Sequence, residues 1–150
     1  MNKTFTTNRK ARYEYQLEEK FEAGIALQGS EVKSIRARQV SINESFVGLK
    51  KGELFLINAN ISKYTKANIE NHDETRYRKL LLHKKEINKI IGKLKISGYT
   101  VVPLQLYLNA RNKIKIEIAL ARGKKQHDKR ASIKERDWNR EKSRLLKNKS

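Results

Sequence analysis

Apolar and polar positions alternate over most of the first 120 residues, and the phase of that alternation predicts the elements. From 13 to 27 the odd positions read Tyr13, Tyr15, Leu17, Glu19, Phe21, Ala23, Ile25 and Leu27, while the even ones are mostly charged or small. A period of two with one interruption predicts one long strand, or two joined by a bend, for which Gly24 supplies the freedom. Gly29 and Ser30 punctuate the chain. Ser30 is placed to cap a short helix over 31–38 that turns Val32 and Ile35 inward and leaves Lys33, Arg36 and Arg38 outside. Over 45–57, FVGL and LFLI flank KKGE, a hairpin turning at Gly52.

The stretch 62–75 is polar and aperiodic, which predicts an exposed loop. RYRKLLLH at 76–83 passes from basic to apolar as a strand entering the interior does, and Ile87, Ile90, Ile91 and Leu94 then recur at helical spacing. Val102, Leu104, Leu106 and Leu108, and after NARNK Ile114, Ile116, Ile118 and Leu120, form a second predicted hairpin. The sum is a mainly β protein of about six or seven strands with two or three short appended helices. Such strands most simply curl into a closed or partly open β-barrel, because closure removes exposed sheet edges.

The alternation stops at Arg122 and Gly123. From Lys124 to Ser150 there are 11 Lys and Arg against 4 Asp and Glu, a net +7, with Ile133, Trp138, Leu145 and Leu146 as the large apolar side chains. This cannot build a core, so the chain divides into a body, 1–123, and a basic C-terminal tail, 124–150. Ser132 and Glu135 have the spacing of a capping box, which predicts a helix over about 133–147. Trp138 and Leu145 share a face, but Ile133 lies off it, so the apolar stripe is thin and the helix is marginal alone. Two readings stand: a segment that orders against a polyanion, or a solvated extension.

Charge narrows the partners. The formal net charge is +19 and the pI about 10.2, and +12 of that charge lies outside the tail. Nucleic acid is the first candidate partner and an acidic membrane surface the second. The absence of cysteine excludes disulfides, cysteine-ligated zinc and thiol catalysis and favours an intracellular protein. Neither a secretory signal nor a stretch of transmembrane length is visible.

Catalytic constellations are missing. His72, His83 and His127 stand far apart, and no glycine-rich phosphate loop, GxSxG or HExxH motif occurs, so no enzyme, cofactor, metal site or small-molecule substrate is expected. The histidines read as surface or contact residues. Glu22, a carboxylate in a strand of a very basic protein, either pairs with a nearby Arg or Lys or accepts hydrogen bonds from a nucleobase or ribose hydroxyl. A surface bearing Arg12, Tyr13, Lys33, Arg36, Arg78 and Lys79 could hold folded nucleic acid through phosphates. Tyr15 reads as core; Tyr13, at the strand's end, is open between core and stacking.

KARYEYQLEEKFEAGIAL at 10–27, ALQGSEVKSIR at 26–36, GELFLINANI at 52–61, RKLLLHKKEI at 78–87, GYTVVPLQLYL at 98–108, ARGKKQHDKR from 121 and IKERDW to 138 together resemble the SsrA-binding protein family, small protein B of bacterial trans-translation. The resemblance spans nearly the whole chain. It implies an OB-like β-barrel that binds the tRNA-like domain of transfer-messenger RNA at the elbow formed by the D-loop region. It also implies cytoplasmic rescue of ribosomes stalled on mRNA lacking a stop codon, the barrel standing in for a missing anticodon arm.

Carried onto this sequence, the resemblance assigns RNA contact to Glu22, Lys33, Arg36, Leu81 and His83, helped by Arg9, Lys10, Arg12 and Tyr13. It assigns the tail to the ribosome: Lys124, Lys125, His127, Asp128, Lys129 and Arg130 to small-subunit ribosomal RNA at the decoding centre. Ile133, Lys134, Arg136, Trp138 and Leu145 fall to a helix in the empty mRNA channel, the tail being disordered in isolation and helical on the ribosome. Tyr13 stands where the family usually has histidine, His83 where asparagine is expected, and Asp137 where glutamate usually precedes Trp138. Two other classes fit the charge: a general single-strand-binding barrel, and a ribosomal or assembly protein.

Overall fold

The long alternation is one strand, β2 (Tyr15–Ile25), and the rest of the sheet is assembled on it. The computed structural model describes residues 3–64 and 71–123. Every expectation for the C-terminal tail, the helix over 133–147 included, therefore lies outside the described residues. In chain order the other elements are β1 (Lys3–Thr7), α1 (Lys10–Glu14), α2 (Gly29–Arg36), β3 (Val40–Ser41), β4 (Phe46–Lys50), β5 (Glu53–Ile57), β6 (Asn60–Ile61), β7 (Arg78–Leu81), α3 (Lys84–Leu94), β8 (Tyr99–Leu108) and β9 (Ile114–Gly123).

Seven strands form one antiparallel sheet in the order β1-β8-β9-β2-β7-β5-β4, and β3 pairs separately with β6. The sheet is strongly curled but not closed. Both flanks of β8 are taken, by β1 and β9. β4 can therefore lie against β8 but finds no free edge there to pair with. Of the two forms expected, closed or partly open, the structure is the partly open, OB-like barrel.

Alternation fixes two cores on opposite faces. The larger packs Phe21, Ala23 and Ile25 of β2 with Val101 and Leu106 of β8, Ile116, Ile118 and Leu120 of β9, Ile35 of α2 and Ile90 of α3. The smaller lies on the other face: Val102 and Leu104 of β8, Ala119 and Ala121 of β9, and Ala11 of α1, with Tyr15 and Leu17 against it. The small alanines let α1 sit close to the sheet. The β4–β5 hairpin turns through Lys51 and Gly52, both at positive φ, between the paired Lys50 and Glu53. Two consecutive positive φ values are those of a type I′ turn, the connection whose twist suits a two-residue hairpin.

Several expectations are corrected. Tyr13 lies on α1, not in the long strand, and β1 had no apolar alternation to announce it, since Phe5 is its one buried side chain. β2 is irregular between Leu17 and Glu19, where the alternation was interrupted, and not at Gly24. α2 starts two residues earlier than expected: Gln28 is the N-cap, and its N–H donates to Glu31 Oε1 at 2.7 Å. Ser30 sits inside the helix with its Oγ 2.9 Å from His72 Nδ1. His72, expected in an exposed loop, is buried, with Nε2 2.7 Å from the Ile61 carbonyl oxygen. Residues 65–70 of that loop lie outside the described residues.

Candidate nucleic-acid interface

The face of the sheet opposite the main core carries α1 at one end and is open beyond it. Strand register sets out the open part in rows. Gln105, Glu117 and Glu22 are neighbours across β8, β9 and β2, and Tyr107, Lys115, Gly24 and Leu81 across β8, β9, β2 and β7. Side chains two apart on a strand point to the same face, so both rows look outward. Leu81 is 51% exposed and lies over Gly24, where an added Cβ would stand 3.2 Å from that of Leu81. His83, also exposed, follows two residues later, and its N–H donates to Glu86 Oε1 at 3.1 Å at the start of α3.

Glu22 makes neither of the ion pairs considered for it: among the described residues no Lys or Arg lies within salt-bridge distance. Its carboxylate accepts a hydrogen bond from the Tyr107 hydroxyl. Burial, the bond to Glu22 and the charges of Glu22 and Glu117 push the Tyr107 phenol well above its ordinary pKa. Tyr107 thus keeps its proton and serves as a fixed donor. Glu117 is held in the same manner by a neutral donor: Gln105 Nε2 donates to Glu117 Oε1 at 3.3 Å, and Thr4 Oγ1 donates to Gln105 Oε1 at 3.1 Å.

The basic residues divide. Arg9, Arg12 and Tyr13 join Thr7, Asn8, Leu104, Gln105 and Glu117 around an open pocket of about 330 Å³, which brings them to the Glu22 row. Tyr13 is 77% exposed, so its ring is offered to a partner rather than to the core. Lys10 is separated from them, its Nζ 3.5 Å from Glu44 Oε1. Lys33 and Arg36 are exposed on α2, whose Ile35 is anchored in the main core, and Lys33 Nζ stands 5.6 Å from the Tyr64 ring centroid. The structure therefore does not bring Lys33 and Arg36 into the rows holding Glu22.

Two residues of the expected phosphate surface are corrected. Arg78 is fully buried, with Nε 2.6 Å from Glu31 Oε2 and further bonds to the carbonyls of Ala59, Asp73 and Glu74. A buried guanidinium needs this many acceptors to replace water. Lys79 is exposed but ion-paired, Nζ 3.0 Å from Glu53 Oε2. Tyr15, expected in the core, is half-buried against the smaller cluster. No group of three His, Cys, Asp or Glu side chains comes together among the described residues.

Tyr107, Gln105 and Glu117 were not singled out from sequence. The signal was present: each occupies the outward phase of a strand segment whose inward phase is Leu106 and Leu108 or Ile116 and Ile118. What the pattern lacked was the register that sets them beside Glu22.

Comparison with known proteins gives consistent results. A family model described as SmpB protein matches residues 5–148. The SsrA-binding protein of Rickettsia bellii (strain OSU 85-389) is 56% identical over 147 residues, covering 98% of this chain and 97% of that protein. The SsrA-binding protein of Wolbachia pipientis subsp. Culex pipiens (strain wPip) is 57% identical over 141 residues, covering 94% and 95%. A solved structure described as "tmRNA-SmpB: a journey to the center of the bacterial ribosome" matches with a TM-score of 0.67 and 48% identity, over 83% of this chain and 87% of that one.

Proposed function

The chain belongs to the SmpB protein family, and from that premise we propose that it binds transfer-messenger RNA and delivers it to stalled ribosomes in trans-translation. The observation that carries this is the likeness, at 48% identity, to the structure named for tmRNA and SmpB. The role is binding and delivery, not bond chemistry, and its place is the cytoplasm, where ribosomes translate. The partners are the tRNA-like domain of transfer-messenger RNA and the small-subunit ribosomal RNA.

In this reading the outward rows meet the RNA. Arg9 and Arg12 neutralise phosphates, which position the RNA without reading its sequence. Glu22, held by Tyr107, accepts hydrogen bonds from a base edge or a 2′-hydroxyl, and Leu81 supplies an apolar contact beside it. His83, Lys33, Arg36 and Lys10 extend the contact to neighbouring surfaces. The barrel fills the volume of an absent anticodon arm. The tail, from Lys124 onward, works at the decoding centre and the vacant mRNA channel, where message and tail compete for one path.

Titration with a transcript of the tRNA-like domain, with ribosomes and with unstructured single strands tests the proposal. Tightest binding to the tRNA-like transcript, falling steeply as salt rises because counterions are released, is expected. Equal affinity for single strands of the same length would favour a general single-strand-binding barrel instead.

A further inference from the structure

We infer that the pocket between α1 and the β8–β9 hairpin receives one unstacked nucleobase of the bound RNA and selects it by the donors on its edge, guanine above the others. The inference rests on the RNA-binding reading and adds to it a site and a base class.

Three features of the pocket call for a ligand that brings hydrogen-bond donors. Glu117 and Glu22 stand directly opposite each other in register, and like charges so placed destabilise a sheet. Neither is ion-paired among the described residues, in a chain carrying a net +19. Gln105 is spent on both sides, accepting from Thr4 and donating to Glu117 Oε1, so Glu117 is oriented while its Oε2 has no hydrogen bond among the described residues.

The third feature is independent of the carboxylates. Asn8 lines the pocket at 6% exposure, with its backbone N–H on the Leu104 carbonyl at 2.7 Å and Nδ2 on the Pro103 carbonyl at 3.0 Å. Its Oδ1 is buried with no hydrogen-bond partner among the described residues. Buried acceptors are normally satisfied; Asn8 borders both this pocket and the cavity lined by Lys10, Ala11 and Glu14, so its Oδ1 calls for a donor entering from one of the two.

The remaining lining suits a nucleotide. Tyr13 offers an exposed ring for stacking, and Arg9 and Arg12 offer charge to the flanking phosphates. The cavity, about 330 Å³, is at the small end of the roughly 300–1,000 Å³ usual for ligand pockets, room for one base and not for a duplex. Guanine presents two adjacent donors, N1–H and the N2 amino group, to the two oxygens of a carboxylate. Uracil presents one, and a phosphate inside the pocket would meet Glu117 as a like charge.

The test uses the full chain with two probes. In side-chain amide NMR, guanosine 5′-monophosphate should shift the Asn8 and Gln105 signals, and uridine 5′-monophosphate should shift them much less. Glu117→Gln keeps the shape and removes the charge facing Glu22. It should fold at least as stably as the wild type yet bind the tRNA-like transcript about tenfold more weakly, the loss of one charge-assisted hydrogen bond. Unchanged affinity, a destabilised Glu117→Gln, or equal responses to the two nucleotides overturns the pocket. If Glu22→Ala then still loses affinity, the RNA-binding reading survives without it; a wild type that ignores the tRNA-like transcript removes both.

Discussion

Arg78 Nε donates to Glu31 Oε2 across 2.6 Å, and neither side chain reaches solvent. The same carboxylate takes a second bond, at 2.5 Å, from Arg76 Nη2. Arg78 in turn ties β7 to the backbone at Ala59, Asp73 and Glu74, so one side chain fastens α2, β7 and two loops. Arg78→Ala leaves Glu31 Oε2 buried without its guanidinium, with Arg76 as the carboxylate's remaining ion pair, and should lower unfolding free energy by about 3 kcal/mol. Urea denaturation gives the value, and a loss under 1 kcal/mol would mean the network is not a structural tie.

The same network gives the stability a pH dependence. Burial alone pushes the Glu31 carboxyl up, but the hydrogen bonds from Arg76, the Gln28 amide and Arg78, with the charge of Arg78, hold it below its ordinary value. A depressed native pKa contributes stability that is full above the unfolded value, about 4.3, and is lost as pH falls through the native one. The stability gap between wild type and Glu31→Gln should therefore narrow below about pH 4. A gap that stays constant from neutral to strongly acid solution would contradict this.

Tyr107 should behave as a phenol that keeps its proton. Its pKa is raised by burial and by Glu22, so its contribution is full below the unfolded value, about 10, and is lost only as pH rises through the higher native one. Tyr107→Phe should leave the phenolate absorbance of the folded protein unchanged up to about pH 11 and cost about 1–2 kcal/mol. Loss of one sixth of that absorbance, six tyrosines being present, would show Tyr107 titrating normally.

Glu22→Ala removes an exposed carboxylate whose one hydrogen bond among the described residues is to Tyr107, so the fold should survive. Affinity for the tRNA-like domain should fall at least tenfold, about 1.4 kcal/mol or more. An intact variant with wild-type affinity would take Glu22 out of the RNA contact.

Truncation after Arg122 should leave RNA affinity within a few-fold of the full chain and abolish peptide tagging on stalled ribosomes. Normal tagging by the truncated protein would refute the division of labour proposed for body and tail.

Side chains that alternate over many residues were legible in the sequence: β2, the β4–β5 hairpin, and β8 with β9 follow from it. Short elements carried too little pattern. β1 has only Phe5 to bury and α1 only Ala11, and Tyr13 and Tyr15 shared the apolar phase although one is on a helix and the other begins a strand. Burial of His72 and Arg78 could not be read, because polar side chains are drawn inside by partners distant in sequence: Ser30 and Ile61 for one, Glu31 and Ala59 for the other. At the interface, Glu22 was visible as an odd carboxylate in a basic chain. Its neighbours Tyr107 and Glu117 needed the strand register, which local periodicity does not encode.

β9 is flanked on both sides almost to its last residue, by β2 as far as the Tyr15–Gly123 pair and by β8 as far as Tyr99–Arg122. Tension on the chain beyond Gly123 is consequently delivered along the axis of an inner strand. It loads two ladders of transverse bonds in shear, all at once, rather than opening them one by one from a frayed margin. A pull on the extension drags the whole globule after it.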